Sequence, residues 1–82
     1  MNRKYIMSIE TTYMSGVLSY VVADVEYDSR IRKYIMIENY GVTKYYKQLM
    51  IDALDAINND QSFIKSHDGK QLKIEVAPSL FG

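Results

Sequence analysis

The sequence predicts an α+β fold: a mostly antiparallel sheet of four to five strands in the order β-β-β-α-β-β, with one helix packed on one face. Three observations lead there. Val42 to Asn58 repeats apolar residues every three or four positions, which gathers them on one stripe of a helix. The segments before it follow the two-residue period of strands. After it, Asp68-Gly69 separates two short β-prone runs, a tight-hairpin pattern because Gly tolerates the positive φ that such a turn needs. Residues 1–82 are expected to form a single small domain.

The first strand is expected over Lys4 to Glu10, with Tyr5, Met7 and Ile9 on one side and Ile6, Ser8 and Glu10 on the other. Thr11 to Ser15 reads as a polar loop closed by Gly16. Val17 to Tyr27 is the longest strand signal, with Val17, Val21, Ala23, Val25 and Tyr27 on one face and Leu18, Tyr20, Val22, Asp24 and Glu26 on the other. Asp28-Ser29 is expected to turn the chain into a third strand, Arg30 to Glu38. In that strand Ile31, Ile35 and Ile37 are expected to form the inward face, and Arg30, Arg32, Tyr34, Met36 and Glu38 to look outward.

Asn39-Tyr40-Gly41 delivers the chain to the helix, with Thr43 as candidate N-cap. The helical stripe is Val42, Tyr45, Tyr46, Leu49, Met50, Ala53, Leu54 and Ile57, and Asn58-Asn59-Asp60 stops it. Ser62 to Lys65 and Gln71 to Val76 flank the turn Ser66 to Lys70, with Leu72, Ile74 and Val76 sharing a face. Pro78 ends the last strand, and the tail carries Leu80 and Phe81, expected to tuck back or meet a partner.

Composition narrows the function classes. No cysteine is present, which removes disulfides and thiolate metal sites and fits a reducing cytoplasm, the host's own if a phage encodes the chain. The single histidine, His67, cannot form a histidine cluster and reads as an exposed loop residue. No apolar run has the length of a signal peptide or a membrane span, so neither export nor membrane insertion is expected. Ten basic and ten acidic residues cancel, which argues against a general polyanion binder. Eight tyrosines, with two Phe and no Trp, suit half-buried interfaces as well as strands. Residues with AT-rich codons greatly outnumber Gly, Ala, Arg and Pro, as in many phages and mobile elements.

Two groups are candidate binding residues. Lys44, Tyr45 and Lys47 lie in the first turn of the helix, where free N–H groups and lysines favour an anion, while Asp52, Asp55 and Asp60 lie towards its end, the reverse of what the helix dipole prefers. Arg30, Arg32, Lys33 and Tyr34 lie on the third strand, where Arg and Tyr together suit a protein or nucleic-acid interface, although Asp24 and Glu26 could pair with them across the sheet. The uncovered sheet face, expected to hold Leu18, Tyr20, Val22, Arg30, Arg32, Tyr34 and Met36, is too apolar to face water alone and is the expected interface, with a second copy or with a target, which adds Tyr20 to the candidate binding residues. No catalytic residue, metal site or cofactor is expected, since no phosphate loop, zinc spacing or nucleophile elbow occurs.

Glu10 at the end of the first strand, Gln48-Leu49 in the helix and Glu75 in a strand after it stand where a ribonuclease H-like domain carries its acidic metal ligands. The chain therefore resembles the N-terminal half of that family, its three strands, helix and following strand, loosely from Lys4 to about Val76. Gln48 replaces the helix acid, so the resemblance implies an inactive relative. The first sixty residues are equally similar to the three-strand-plus-helix DNA-binding arm of some phage integrases.

By size and composition the chain is similar in type to small phage-encoded inhibitors of host enzymes. It is expected to be a non-enzymatic interaction protein that binds and inhibits a protein partner, as an antitoxin or anti-defence protein does, and to form a homodimer, with no small-molecule substrate. The alternative is an RNA- or single-strand-binding module in which Arg30, Arg32, Lys33, Lys44 and Lys47 touch phosphate while Tyr34, Tyr45 or Tyr46 stack bases.

Overall fold

A computed structural model describes residues 4–41 and 44–79, apart from the side chains of Tyr13 and His67. The elements along the chain are β1 (Lys4–Tyr13), β2 (Gly16–Asp28), β3 (Lys33–Asn39), α1 (Lys44–Asn58), β4 (Phe63–His67) and β5 (Lys70–Pro78). All strand pairs are antiparallel, and the spatial order is β3-β2-β1-β5-β4, so β1 is central and the chain order does not carry over into the sheet. The fold is α+β, with a five-stranded antiparallel sheet and one helix. At about 3.3 Å per residue, β2 alone spans about 40 Å and accounts for the long dimension of 41 Å.

One face of the sheet meets the helix. Met7 and Ile9 of β1, Ala23 and Val25 of β2, and Leu72 and Ile74 of β5 are buried against Leu49, Met50 and Ala53 of α1. The helical stripe and the inward faces expected for β1 and β5 are found in place, except that Tyr45 stays largely exposed. Val42, the N-cap candidate Thr43 and the tail residues Leu80 and Phe81 lie outside the described residues.

Three turns differ in instructive ways. Thr11 to Tyr13 is strand rather than loop, and the β1–β2 turn shrinks to Met14-Ser15. Strand β3 starts at Lys33, not Arg30, because residues 29–32 make a four-residue turn. In it, Asp28 Oδ1 accepts the Arg30 backbone N–H at 2.9 Å and Arg32 adopts a positive φ of 56°. At Asp68-Gly69 both residues have positive φ, 51° and 72°, the type I′ geometry anticipated for Asp-Gly. That turn is shorter than expected, since Ser66 and His67 belong to β4.

Two irregularities reassign side chains. Met7 opposes Ala23 but Ser8 opposes Val21, so Val22 is an extra residue in β2, and Val22 and Ala23 are both buried. Asp24 opposes Glu38 but Val25 opposes Met36, so Ile37 is extra in β3. Directly opposed residues share a face, so the buried Val25 draws Met36 inward and Tyr27 draws Tyr34 with it. The inward face of β3 is therefore Tyr34 and Met36, which pack against the core, while Ile35 and Ile37 are exposed. This reverses the expected orientation. Val22, Tyr34 and Met36 leave the expected uncovered face, and Arg30 and Arg32 sit in a turn. Leu18 and Tyr20 oppose Thr11 and Ile9, which places them on the helix side as well.

The end of α1 is held by backbone chemistry that composition does not reveal. Tyr34 N–H donates to Asn58 Oδ1 at 2.7 Å, and Asn58 Nδ2 donates to the Tyr34 carbonyl at 3.1 Å. Asn58 thus occupies the outer backbone edge of β3 as a neighbouring strand would. The helix closes with Gln61 N–H bonded to Ala56 O and Asp60 N–H bonded to Ile57 O, the paired bonds of a Schellman motif. Asp60 takes the left-handed position at φ 58°, where Gly is favoured.

Two stability outcomes follow. Asn58→Ala strands two partly buried backbone groups of Tyr34 and should cost about 1–3 kcal/mol in urea unfolding. Asp60→Gly relieves the left-handed strain and removes a negative charge from the helix C-terminus, and should stabilise by about 0.5–1 kcal/mol, read as a rise in melting temperature of a few degrees.

Candidate interaction surface

The predicted binding residues fall into two groups. Arg30 and Arg32 occupy the β2–β3 turn and Lys33 opens β3 opposite Asp28. Arg30 is exposed and lies 3.5 Å from Asp28, whose carboxyl is held below its usual range by the Arg30 backbone N–H and then by its guanidinium. Lys44, Tyr45 and Lys47 begin α1 at the far end, since Asn58 at its close meets Tyr34. A helix of 15 residues is about 22 Å long, so the two basic groups stand about 20 Å apart. Tyr20 lies towards the end of β2 where the helix starts, because Tyr40 N–H bonds Val22 O just before the chain enters α1.

Tyr34 does not stack outward. Its ring meets Tyr5 edge-on at 5.1 Å and 82° and lies tilted against Tyr27 at 5.0 Å. Burial first, then the neighbouring Tyr5, raises its phenol above the ordinary value. Tyr45 lies edge-on to Tyr46 at 5.6 Å. Of the predicted tyrosines, Tyr34 therefore belongs to the core margin and Tyr45 to the surface.

The face opposite the helix is different from the expected one. By strand alternation it carries Asp24, Glu26 and Asp28 of β2, Glu38 of β3, Glu10 of β1 and Glu75 of β5, with exposed Ile35 and Ile37 among them. Most of these acids have a cation set against them. Lys4 opposes Glu26, Lys33 opposes Asp28, and Lys73 opposes Glu10 and bonds Glu75 at 2.8 Å, which raises the Lys73 ammonium.

Asp24 and Glu38 are the exception, because the register sets two carboxylates directly opposite each other. Like charges so placed destabilise a sheet. The Tyr40 hydroxyl hydrogen-bonds Asp24, and that bond, with partial burial and the charges of Asp24 and Glu38, pushes the Tyr40 phenol up to about 12. Beside them Ile37 is 60% exposed and shares with Lys4, Asp24 and Glu26 a shallow hollow of about 300 Å³. A second hollow continues past Ile37 and Ile35 to Asp28 and Arg30. The surface thus offers apolar side chains beside carboxylates, a setting for a partner carrying aliphatic and cationic groups.

Sequence reasoning passed over Asp24, Glu38, Tyr40, Ile35 and Ile37. Part of the signal is register: the four-residue loop at 29–32 sets Tyr34 across from Tyr27 and sends Ile35 and Ile37 outward, but the opposition of Asp24 and Glu38 depends on the extra residue Ile37, which no local pattern marks. Glu10 and Glu75 lie on this open face, whereas Gln48 is on the exposed side of α1 and bonds Asp52 at 3.0 Å, so the three do not converge. No helix among the described residues is long and apolar enough to cross a membrane. Compared with protein-family models, curated proteins and solved structures, the chain gives no match.

Tyr40 supplies a pH test. Its folded-state value of about 12 lies above the ordinary 10, so the folded state keeps a proton that the unfolded chain releases, and this contribution to stability is lost as pH rises from about 10 to 12. In an alkaline titration followed by phenolate absorbance, the difference between wild type and Tyr40→Phe should appear near pH 12. A difference centred near pH 10 would contradict the bond to Asp24.

Proposed function

We propose that the chain is a non-enzymatic interaction protein that binds a protein partner through the open face of its sheet. The observation that carries this reading is the opposition of Asp24 and Glu38 beside the exposed Ile37. A lysine or arginine from a partner would meet two carboxylates side by side there, while Ile35 and Ile37 supply apolar contact. Small size and tyrosine-rich, AT-biased composition support the narrower reading of an inhibitor, of the antitoxin or anti-defence type that mobile elements encode, acting on a host enzyme.

The separation of the basic residues into two groups counts against an RNA- or single-strand-binding module, because phosphate tracking needs a continuous basic path. A degenerate ribonuclease H-like protein has less support, since Gln48 stands apart from Glu10 and Glu75.

The test is affinity capture from lysate of the native host, before and after nuclease treatment, with the tagged wild type and with Ile37→Asp and Asp24→Lys variants of verified fold. A protein retained after nuclease treatment and lost about tenfold or more by either variant is the expected result. Retention that depends on nucleic acid, or that both variants preserve, would overturn the proposed surface.

A further inference from the structure

We propose that a second copy of the chain adds to the open edge of β2 at Gly16–Ser19, joining two sheets across a two-fold axis. The β2–β3 ladder ends at the pair Ala23 and Asn39, followed by the single bond from Tyr40 N–H to Val22 O. From Gly16 to Ser19, β2 has β1 on one side and, among the described residues, no strand on the other. Such an edge presents a row of backbone donors and acceptors to any extended chain.

The other sheet edges carry the usual protections. The outer side of β3 is occupied at Tyr34 by Asn58 and carries Lys33 and Glu38, while β4 has only five residues and includes Lys65. The β1–β2 hairpin has none of these devices. Between Glu10 and Asp24 the sequence runs from Thr11 to Ala23 without a charged residue or a proline. Met14, Val17 and Leu18 are exposed by 108%, 64% and 54%.

Three features favour a copy of the chain over another occupant. An antiparallel two-fold centred on Val17 or on Leu18 sets only uncharged residues opposite one another and keeps each on its own face: the first centre pairs Val17 of both copies on the open side, with Leu18 across from Gly16, and the second pairs Leu18 of both on the helix side, with Val17 across from Ser19. The zero net charge leaves no long-range repulsion between copies. The charges that bracket the hairpin, Glu10 and Asp24, are acidic, which disfavours an anionic membrane or nucleic acid at this edge. The edge is separate from the surface around Ile37, so one chain can dimerise and bind a different partner at the same time.

Sedimentation of the full chain over about 1 µM to 1 mM should show the mass rising from 9.5 kDa towards twice that value. The double variant Val17→Lys, Leu18→Lys sets like charges across the axis and should shift the midpoint at least about tenfold higher, whereas Ile37→Asp should leave it unchanged. As a second measurement on the wild type, amide exchange at Gly16–Ser19 should slow as concentration rises across the same range. A single-protomer mass at every concentration, self-association equal to wild type in the double variant, or exchange at this edge that ignores concentration would each overturn the proposal. Loss of self-association in Ile37→Asp instead would move the interface to the open face and overturn it too.

Discussion

Directly opposed residues of antiparallel strands must share a face, and this constraint governs the molecule more than the hydrophobicity of any one strand. Considered alone, Arg30 to Glu38 calls for its isoleucines to be inside. Paired with β2 it cannot have them there, because Val25 is buried and its partner is Met36. The sheet gives up two isoleucines to solvent and gains the Tyr5, Tyr27 and Tyr34 ring cluster on the helix side. The extra residues Val22 and Ile37 then shift parity midway along β2 and β3, so neither strand has one inner face from end to end.

What could be read from the sequence follows from the range of the interaction concerned. The helix, the Asp-Gly turn and the inward residues of β1 and β5 depend on neighbours a few positions away, and periodicity reports them. The four-residue turn at 29–32, the two register slips and the Asn58 clamp depend on partners remote in sequence, 24 residues away for Asn58 and Tyr34. Asn58 looked like a helix stop and is one, but its amide also completes the outer edge of β3. The same amide that halts the helix ties it to the sheet, which is how one short helix can be fixed over five strands with so few buried residues.

The candidate site was less readable than the fold for a related reason. Arg30, Arg32 and Tyr34 invite grouping because they alternate, yet alternation implies a shared face only inside a strand, and Arg30 and Arg32 lie in a turn. Lys44 and Lys47 start the helix about 20 Å away, and nothing in a linear reading fixes that separation before the Asn58 contact orients α1. Conversely, Asp24 and Glu38 are fourteen positions apart and neutralised on paper by nearby bases, so their opposition is visible only in the register.

Charge placement follows from the same pairing geometry. On the open face most acids have a lysine across a strand or along it, which is how a neutral chain keeps an acid-rich surface stable. At Asp24 and Glu38, where two acids oppose each other, the Tyr40 hydroxyl bonds Asp24 and Ile37 is left exposed beside them. The β1–β2 hairpin shows the opposite choice, with thirteen successive residues from Thr11 to Ala23 and no charge among them. A charge on that open edge would guard it against pairing, and edges elsewhere in the sheet carry such charges at Lys33, Glu38 and Lys65. Their absence from one long, protruding strand is difficult to attribute to folding, since an exposed Val17 or Leu18 adds little to the core it does not reach. The two surfaces thus depart from structural economy in opposite directions, one by opposing like charges and the other by excluding charge.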